Sequence, residues 1–148
     1  MYSIEEYDNN KTKVLKYILY KKRTESEIRT KFKDTIEEKM LEEIIEELKE
    51  KAYIDDKEYI KRAINNFKIL KNLSKQELKY KLLAKGINKN MLEDYFYENN
   101  DELTEYEINS AKKIIQKKQN LEKIEITNYL LKKGYKKDNI EEAFEDFT

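Results

Sequence analysis

The sequence predicts an all-α protein made of three tandem three-helix modules in an elongated, curved array. Three observations carry that reading. The 148 residues include no proline and only two glycines, Gly86 and Gly134, whereas a β-rich domain needs many tight turns and tight turns need Gly and Pro. Apolar residues recur at helical spacing along the chain. One unit is written three times with a period of 48–50 residues, a suitable length for a three-helix repeat.

The modules divide as 1–52, 53–100 and 101–148, the first with a short N-terminal segment, 1–9, that adds an extra turn. In the first module Val14, Leu15, Ile18 and Leu19 form one apolar face. Thr24 then caps a helix carrying Ile28 and Phe32, and Leu41, Ile44, Ile45 and Leu48 form the third face. In the second, Asp55 starts a helix with Glu58 three residues on, a variant capping box. Its inward face is Tyr59, Ile60, Ala63, Ile64 and Phe67. Ser74 and Glu77 make a true S-x-x-E box ahead of Leu78, Leu82 and Leu83. Gly86 is then placed as a left-handed terminator, where a Cβ costs energy. The next helix starts near Asn88 and buries Met91, Leu92, Tyr95 and Phe96. The third module repeats the order with Ile108, Ala111 and Ile115, then Ile126, Leu130 and Leu131, then Ile140, Ala143, Phe144 and Phe147. KYKLLAKGINKNMLEDYF at 79–96 and TNYLLKKGYKKDNIEEAF at 127–144 align at an offset of 48, glycine on glycine. The first copy is more diverged and has Ile36 at the glycine position.

Composition excludes much chemistry. Cysteine and histidine are absent, so disulfides, thiol nucleophiles, zinc fingers and imidazole acid–base catalysis are excluded. No Gly-rich phosphate loop can be written. No cluster sets a nucleophile beside a base, so the reading is of a non-enzyme without cofactor or metal. There is no apolar run of about 18 residues and no signal-peptide pattern, which predicts a cytoplasmic protein with no membrane association.

Thirty-one Lys/Arg balance 31 Asp/Glu, but unevenly. Residues 11–33 carry nine basic against two acidic residues, 34–58 four against eleven, and 61–90 nine against one. Residues 93–107 carry seven acids and no base, 112–137 nine against two, and 138–148 five acids only. The basic blocks fall on and around the second helix of each module and the acidic blocks mostly on the third. Stacked with a constant rotation, the second helices would form one positive track.

The candidate partner-binding or nucleic-acid-binding residues follow from that track. The middle module offers Lys61, Arg62, Lys68, Lys71, Lys75, Lys79, Tyr80, Lys81, Lys85 and Lys89, and the last offers Lys123, Lys132, Lys133, Lys136 and Lys137. A lone surface lysine is ordinarily just solvated, but the set recurs in two modules. Arg23 and Arg29 are added because the chain has only three arginines and arginine contacts phosphate or carboxylate bidentately. Tyr80, between two lysines, either stacks on a base or partner side chain or is an ordinary half-buried surface tyrosine. Asp55 and Asp56 read as helix caps rather than a metal pair, and Glu27 and Glu77 as capping-box members rather than general acids.

TESEIRTKF at 24–32, YIDDKEY at 53–59 and SKQELKYKLLAKGI at 74–87 together resemble the RecX family of bacterial recombination regulators, over about Lys13 to Phe147. Ala52 and Leu73 stand where members of that family often carry glycine. The resemblance implies three tandem three-helix modules. It also implies a protein that binds the RecA filament and its DNA, single-stranded within the filament, and inhibits RecA ATP hydrolysis and strand exchange. Such a role belongs to homologous recombination, DNA repair and the SOS response. The thin hydrophobic content and the repeat predict an elongated monomer. The residues alone leave two alternatives: a stand-alone helical nucleic-acid-binding protein, or a helical-repeat scaffold for an acidic protein.

Overall fold

The computed structural model describes residues 2–147, and among them every regular element is a helix. The order is α1 (Ile4–Tyr20), α2 (Glu25–Phe32), α3 (Glu38–Glu50), α4 (Asp56–Leu70), α5 (Lys75–Ala84), α6 (Lys89–Glu98), α7 (Asn100–Lys117), α8 (Lys123–Lys132) and α9 (Lys137–Glu145). None is long and apolar enough to cross a membrane.

Local chemistry sets most of the helix ends. Thr24 and Ser74 each accept the N–H three residues on, from Glu27 and Glu77, and those glutamates accept the cap residues' own N–H groups, so both capping boxes close. Asp55 accepts the Glu58 N–H at 3.1 Å, and Asn88 accepts from Asn90 and Met91. Each such bond satisfies an amide that the helix itself cannot, at about 1 kcal/mol. Gly86 and Gly134 have φ of +82° and +92°. At the end of α8 the Tyr135 N–H reaches Leu130 O and the Gly134 N–H reaches Leu131 O, the paired bonds of a Schellman terminator. The end of α3 has the same two bonds, from Tyr53 to Leu48 and from Ala52 to Lys49, but here an alanine takes the left-handed position, with φ +61°.

The chain forms two compact units, Met1–Lys61 with Ala84–Ile87, and Arg62–Leu83 with Asn88–Thr148. In the first, α1, α2 and α3 enclose Val14, Ile18, Ile28, Phe32, Ile36, Met40, Leu41, Ile44, Ile45, Leu48 and Ile54. In the second, α7 and α9 pack along each other with α8 against them, around Ala111, Ile115, Ile126, Leu130, Tyr135, Ile140, Ala143 and Phe144.

Four expectations need correction. Residues 4–9 are not a separate turn but the first turns of α1, started by Ser3, which accepts the Glu6 N–H, and tied to α3 by Tyr7 and Lys11 on Glu47. Leu83 and Leu131 are 37% and 44% exposed, and Leu19 is 70% exposed. Successive helical residues lie about 100° apart, so the buried i, i+4 pairs Leu78/Leu82, Ile126/Leu130 and Val14/Ile18 leave the next residue at the edge or outside. Tyr59 and Tyr95 are half-buried rather than core. Asp56 caps not its own helix but α2, accepting the Glu25 N–H at 3.0 Å.

Candidate partner-binding surface

The basic residues named from sequence differ in exposure and in the contacts the fold gives them. In the first unit Arg29 is fully engaged. Its Nε lies 3.0 Å from Glu25, and its terminal nitrogens grip both oxygens of Glu42 at 2.7 and 3.0 Å. The Glu42 contact is the main reason its proton is held even more firmly than usual. The Arg23 guanidinium lies 4.1 Å from the Tyr17 ring, with a buried Nε that has no hydrogen-bond partner. Lys85 sits 3.9 Å from Glu27, a loose pair, and Lys61 is exposed.

In the second unit Lys68 pairs with Glu102 at 2.7 Å. Lys79 lies over the Phe96 ring at 5.0 Å, Lys81 over Phe67 at 5.7 Å and Lys123 over Phe144 at 5.0 Å. Phe96 and Phe144 are themselves buried, so these lysines cover core rings with their stems and hold their charge at the surface. Lys75 is half-buried and donates to Thr104 Oγ1 at 3.0 Å, and burial pushes its ammonium below the usual lysine range. Lys133 and Lys118 both face the Tyr129 ring, at 5.7 and 4.2 Å. Arg62, Lys71, Lys89, Lys132, Lys136 and Lys137 are exposed, and so is Tyr80, at 62%.

One cleft of about 510 Å³ brings several of these together. Lys75, Lys79 and Lys136 line it beside Phe96 and Tyr97, with Glu93 and Asp101 also on its wall. At its base is Glu107, a fully buried carboxylate. Glu107 accepts the Lys75 N–H at 2.7 Å, the Lys136 N–H at 3.2 Å and the Asn139 side-chain amide at 2.5 Å. It thus serves the starts of α5 and α9 at once, and both helix dipoles favour its charge. The cleft wall carries three lysines, three carboxylates and two aromatic rings, and the exposed Lys132, Lys136 and Lys137 add the positive charge that suits anionic groups. The cleft holds no nucleophile–base pair.

Sequence reading missed Glu107 and Lys118. The signal for Glu107 was a charge on an apolar face, four residues from both Leu103 and Ala111. Lys118 gave no signal, because its role comes from the turn that returns α8 to the end of α7.

No protein-family model matches the chain. Named relatives do. The regulatory protein RecX of Finegoldia magna is 36% identical over 136 residues, covering 84% of this chain and 64% of the relative. That of Staphylococcus carnosus is 31% identical over 137 residues, covering 89% of this chain and 51% of the relative. The chain therefore spans about half to two-thirds of the length of these relatives. The crystal structure of RecX from Lactobacillus salivarius superposes with a TM-score of 0.82 at 25% identity, over 97% of each chain. With the repeat, the capped second helices and these matches in agreement, the chain belongs to the RecX family.

Proposed function

We propose that the protein regulates RecA by binding the RecA–DNA filament and inhibiting its ATP hydrolysis and strand exchange. The observation that carries this reading is the lysine-rich surface of α5, α8 and the start of α9. Lys132, Lys136 and Lys137 stand there in solvent, next to the lysine-lined cleft. The relatives' name, regulatory protein RecX, supports it. The three modules 1–52, 53–100 and 101–148 would act together, one chain contacting neighbouring protomers and hindering the rearrangement that turnover requires. The lysines would supply charge and encounter rate against DNA phosphate or acidic protein, and shape would supply the rest. The protein would work in the cytoplasm, as a monomer and without catalysis of its own.

The structure refines which charges to test. Lys79 and Lys81 cover aromatic rings, so reversing them disturbs packing as well as charge. Lys132, Lys136 and Lys137 are exposed, so a triple Lys→Glu variant should fold normally. The experiment is RecA-dependent ATP hydrolysis on single-stranded DNA, titrated with wild type and this variant at two salt concentrations. Inhibition by wild type that weakens in the variant supports the proposal. Binding to bare DNA without any effect on RecA would favour a stand-alone nucleic-acid-binding protein, whose affinity would fall steeply with salt.

A further inference from the structure

The last turn of α1 ends in Leu19 and Tyr20, 70% and 86% exposed, and that of α4 ends in Ile69 and Leu70, 81% and 75% exposed. The two pairs occupy the same repeat position, 50 residues apart. Neither supports its own helix. In α1 the inward face is Val14 and Ile18, and in α4 it includes Ile60 and Ile64. Single exposed apolar residues are ordinary. Two adjacent large ones, written twice at one register, are not explained by packing. The third copy supplies an internal control. At the 48-residue offset its corresponding residues are Lys117, exposed, and Lys118, half-buried over the Tyr129 ring, so the fold does not require apolar side chains there.

Along the chain, the charge flanking both pairs is of one sign, although Lys68 beside the second is paired with Glu102. Residues 9–24 hold six Lys/Arg and no acid, and residues 59–76 hold five and no acid. Lys21, Lys22 and Lys71, which directly follow the pairs, are exposed. A matching surface is therefore an apolar socket with an acidic rim. Leu19, Ile69 and Leu70 have no aromatic face, so three of the four side chains are poor platforms for a nucleobase. That favours a protein partner. Two equal knobs suit a partner that itself repeats, where the second contact becomes intramolecular once the first is made.

We propose that the apolar pairs closing α1 and α4 are equivalent docking knobs for an acid-rimmed apolar socket recurring on consecutive subunits of a protein filament, a reading that rests on the function proposed above. The lysine-rich surface of α8 and the cleft would then serve the anionic polymer, and the knobs would serve the protein.

The test uses three variants of the full chain: Leu19→Ser with Tyr20→Ser, Ile69→Ser with Leu70→Ser, and all four together. All four positions are exposed, and unchanged circular dichroism and melting would verify the fold. Inhibition of RecA ATP hydrolysis on single-stranded DNA, binding to the same DNA without RecA, and the mass in solution are measured for each. The expected result is that each pair raises the half-inhibitory concentration by about tenfold, that the fourfold variant loses inhibition, and that bare-DNA binding and mass stay unchanged. A wild type with no effect on the filament would overturn the functional reading itself. An active wild type matched by an equally active fourfold variant would overturn this inference alone. So would a parallel loss of bare-DNA binding, which would assign the knobs to nucleic acid, or a wild-type dimer that the substitutions convert to monomer, which would assign them to a second copy.

Discussion

The two units build the same joint with different electrostatics. In the first, Thr24 Oγ1 at the start of α2 donates to Lys85 O at 2.7 Å, just before Gly86. In the second, Ser74 Oγ at the start of α5 donates to Lys133 O at 2.6 Å, just before Gly134. In both, a capping hydroxyl meets the carbonyl end of the second helix of the following repeat, and a carboxylate from its first helix takes the next amide. That carboxylate is Asp56 in the first joint, half-buried and with one amide donor. In the second it is Glu107, buried and with three donors from two helix starts. The first joint is instead laced outside by ion pairs, with Glu25 held by Arg29 and Lys49 at 3.0 and 3.1 Å and Arg29 passing on to Glu42. One repeat geometry thus tolerates either a single buried anion or a solvent-facing network, provided the helix-start amides are satisfied.

The largest effect should come from the buried anion. Glu107→Ala strands three donors in the interior and should cost about 3–5 kcal/mol in urea unfolding, whereas Asp56→Ala should cost about 1 kcal/mol. Equal costs would mean that burial is not what separates the joints.

Gly86→Ala is next. A Cβ there would lie 2.2 and 2.3 Å from Ser26 Oγ and Cβ, in addition to the strain of φ +82°. A cost of about 2–4 kcal/mol is expected. In a Ser26→Gly background both close atoms are gone and the nearest remaining one, Ser26 Cα, is 3.7 Å away, so the cost should fall to the strain alone, about 1–2 kcal/mol. A double-mutant cycle without coupling would show that φ, not contact, requires the glycine.

The ion network gives a smaller, pH-dependent effect. Burial acts to raise the Glu25 pKa, but the bonds to Lys49 and Arg29 outweigh it and hold the carboxyl below its ordinary value of 4.5. The Arg29 contact holds Glu42 below the same value. A depressed carboxylate stabilises the fold above its unfolded pKa and loses that contribution as pH falls through the folded one. Arg29→Gln should therefore cost about 1 kcal/mol or less at neutral pH. The gap from wild type should close as the solution is acidified below about pH 4.5. A gap that stayed constant would point to lost packing instead of charge.

The smallest effect is a gain. Ala52 holds after α3 the left-handed conformation that glycine holds after α5 and α8. Ala52→Gly should stabilise by up to about 1 kcal/mol, the relief of strain being partly offset by a freer unfolded chain. Thermal melting would register it, and a lower melting temperature would show that unfolded-state entropy wins.

What sequence made legible followed from locality. The boxes at Thr24 and Ser74, the helix start near Asn88 and the left-handed glycines are each decided within four residues, and all were readable. The cap hydroxyls' second role was not, since Lys85 and Lys133 lie 61 and 59 residues away. Asp56 was read as a cap but placed on the wrong helix, because nothing local distinguishes a carboxylate serving its own amides from one reaching α2. Likewise, Arg29 and Lys137 look alike as basic residues in a track. Only the return of α3 with Glu42 shows that the first is engaged, while the second stands in solvent.

The Glu107 joint also has a consequence for amide hydrogen exchange. First-turn amides of a helix lack intrahelical acceptors and ordinarily trade their protons with water almost as readily as an unfolded segment. The Lys75 and Lys136 amides are bound instead to a carboxylate with no solvent exposure. They should be protected like the middle of a helix, and their exchange rates would report directly how often the contact between α5, α7 and α9 opens.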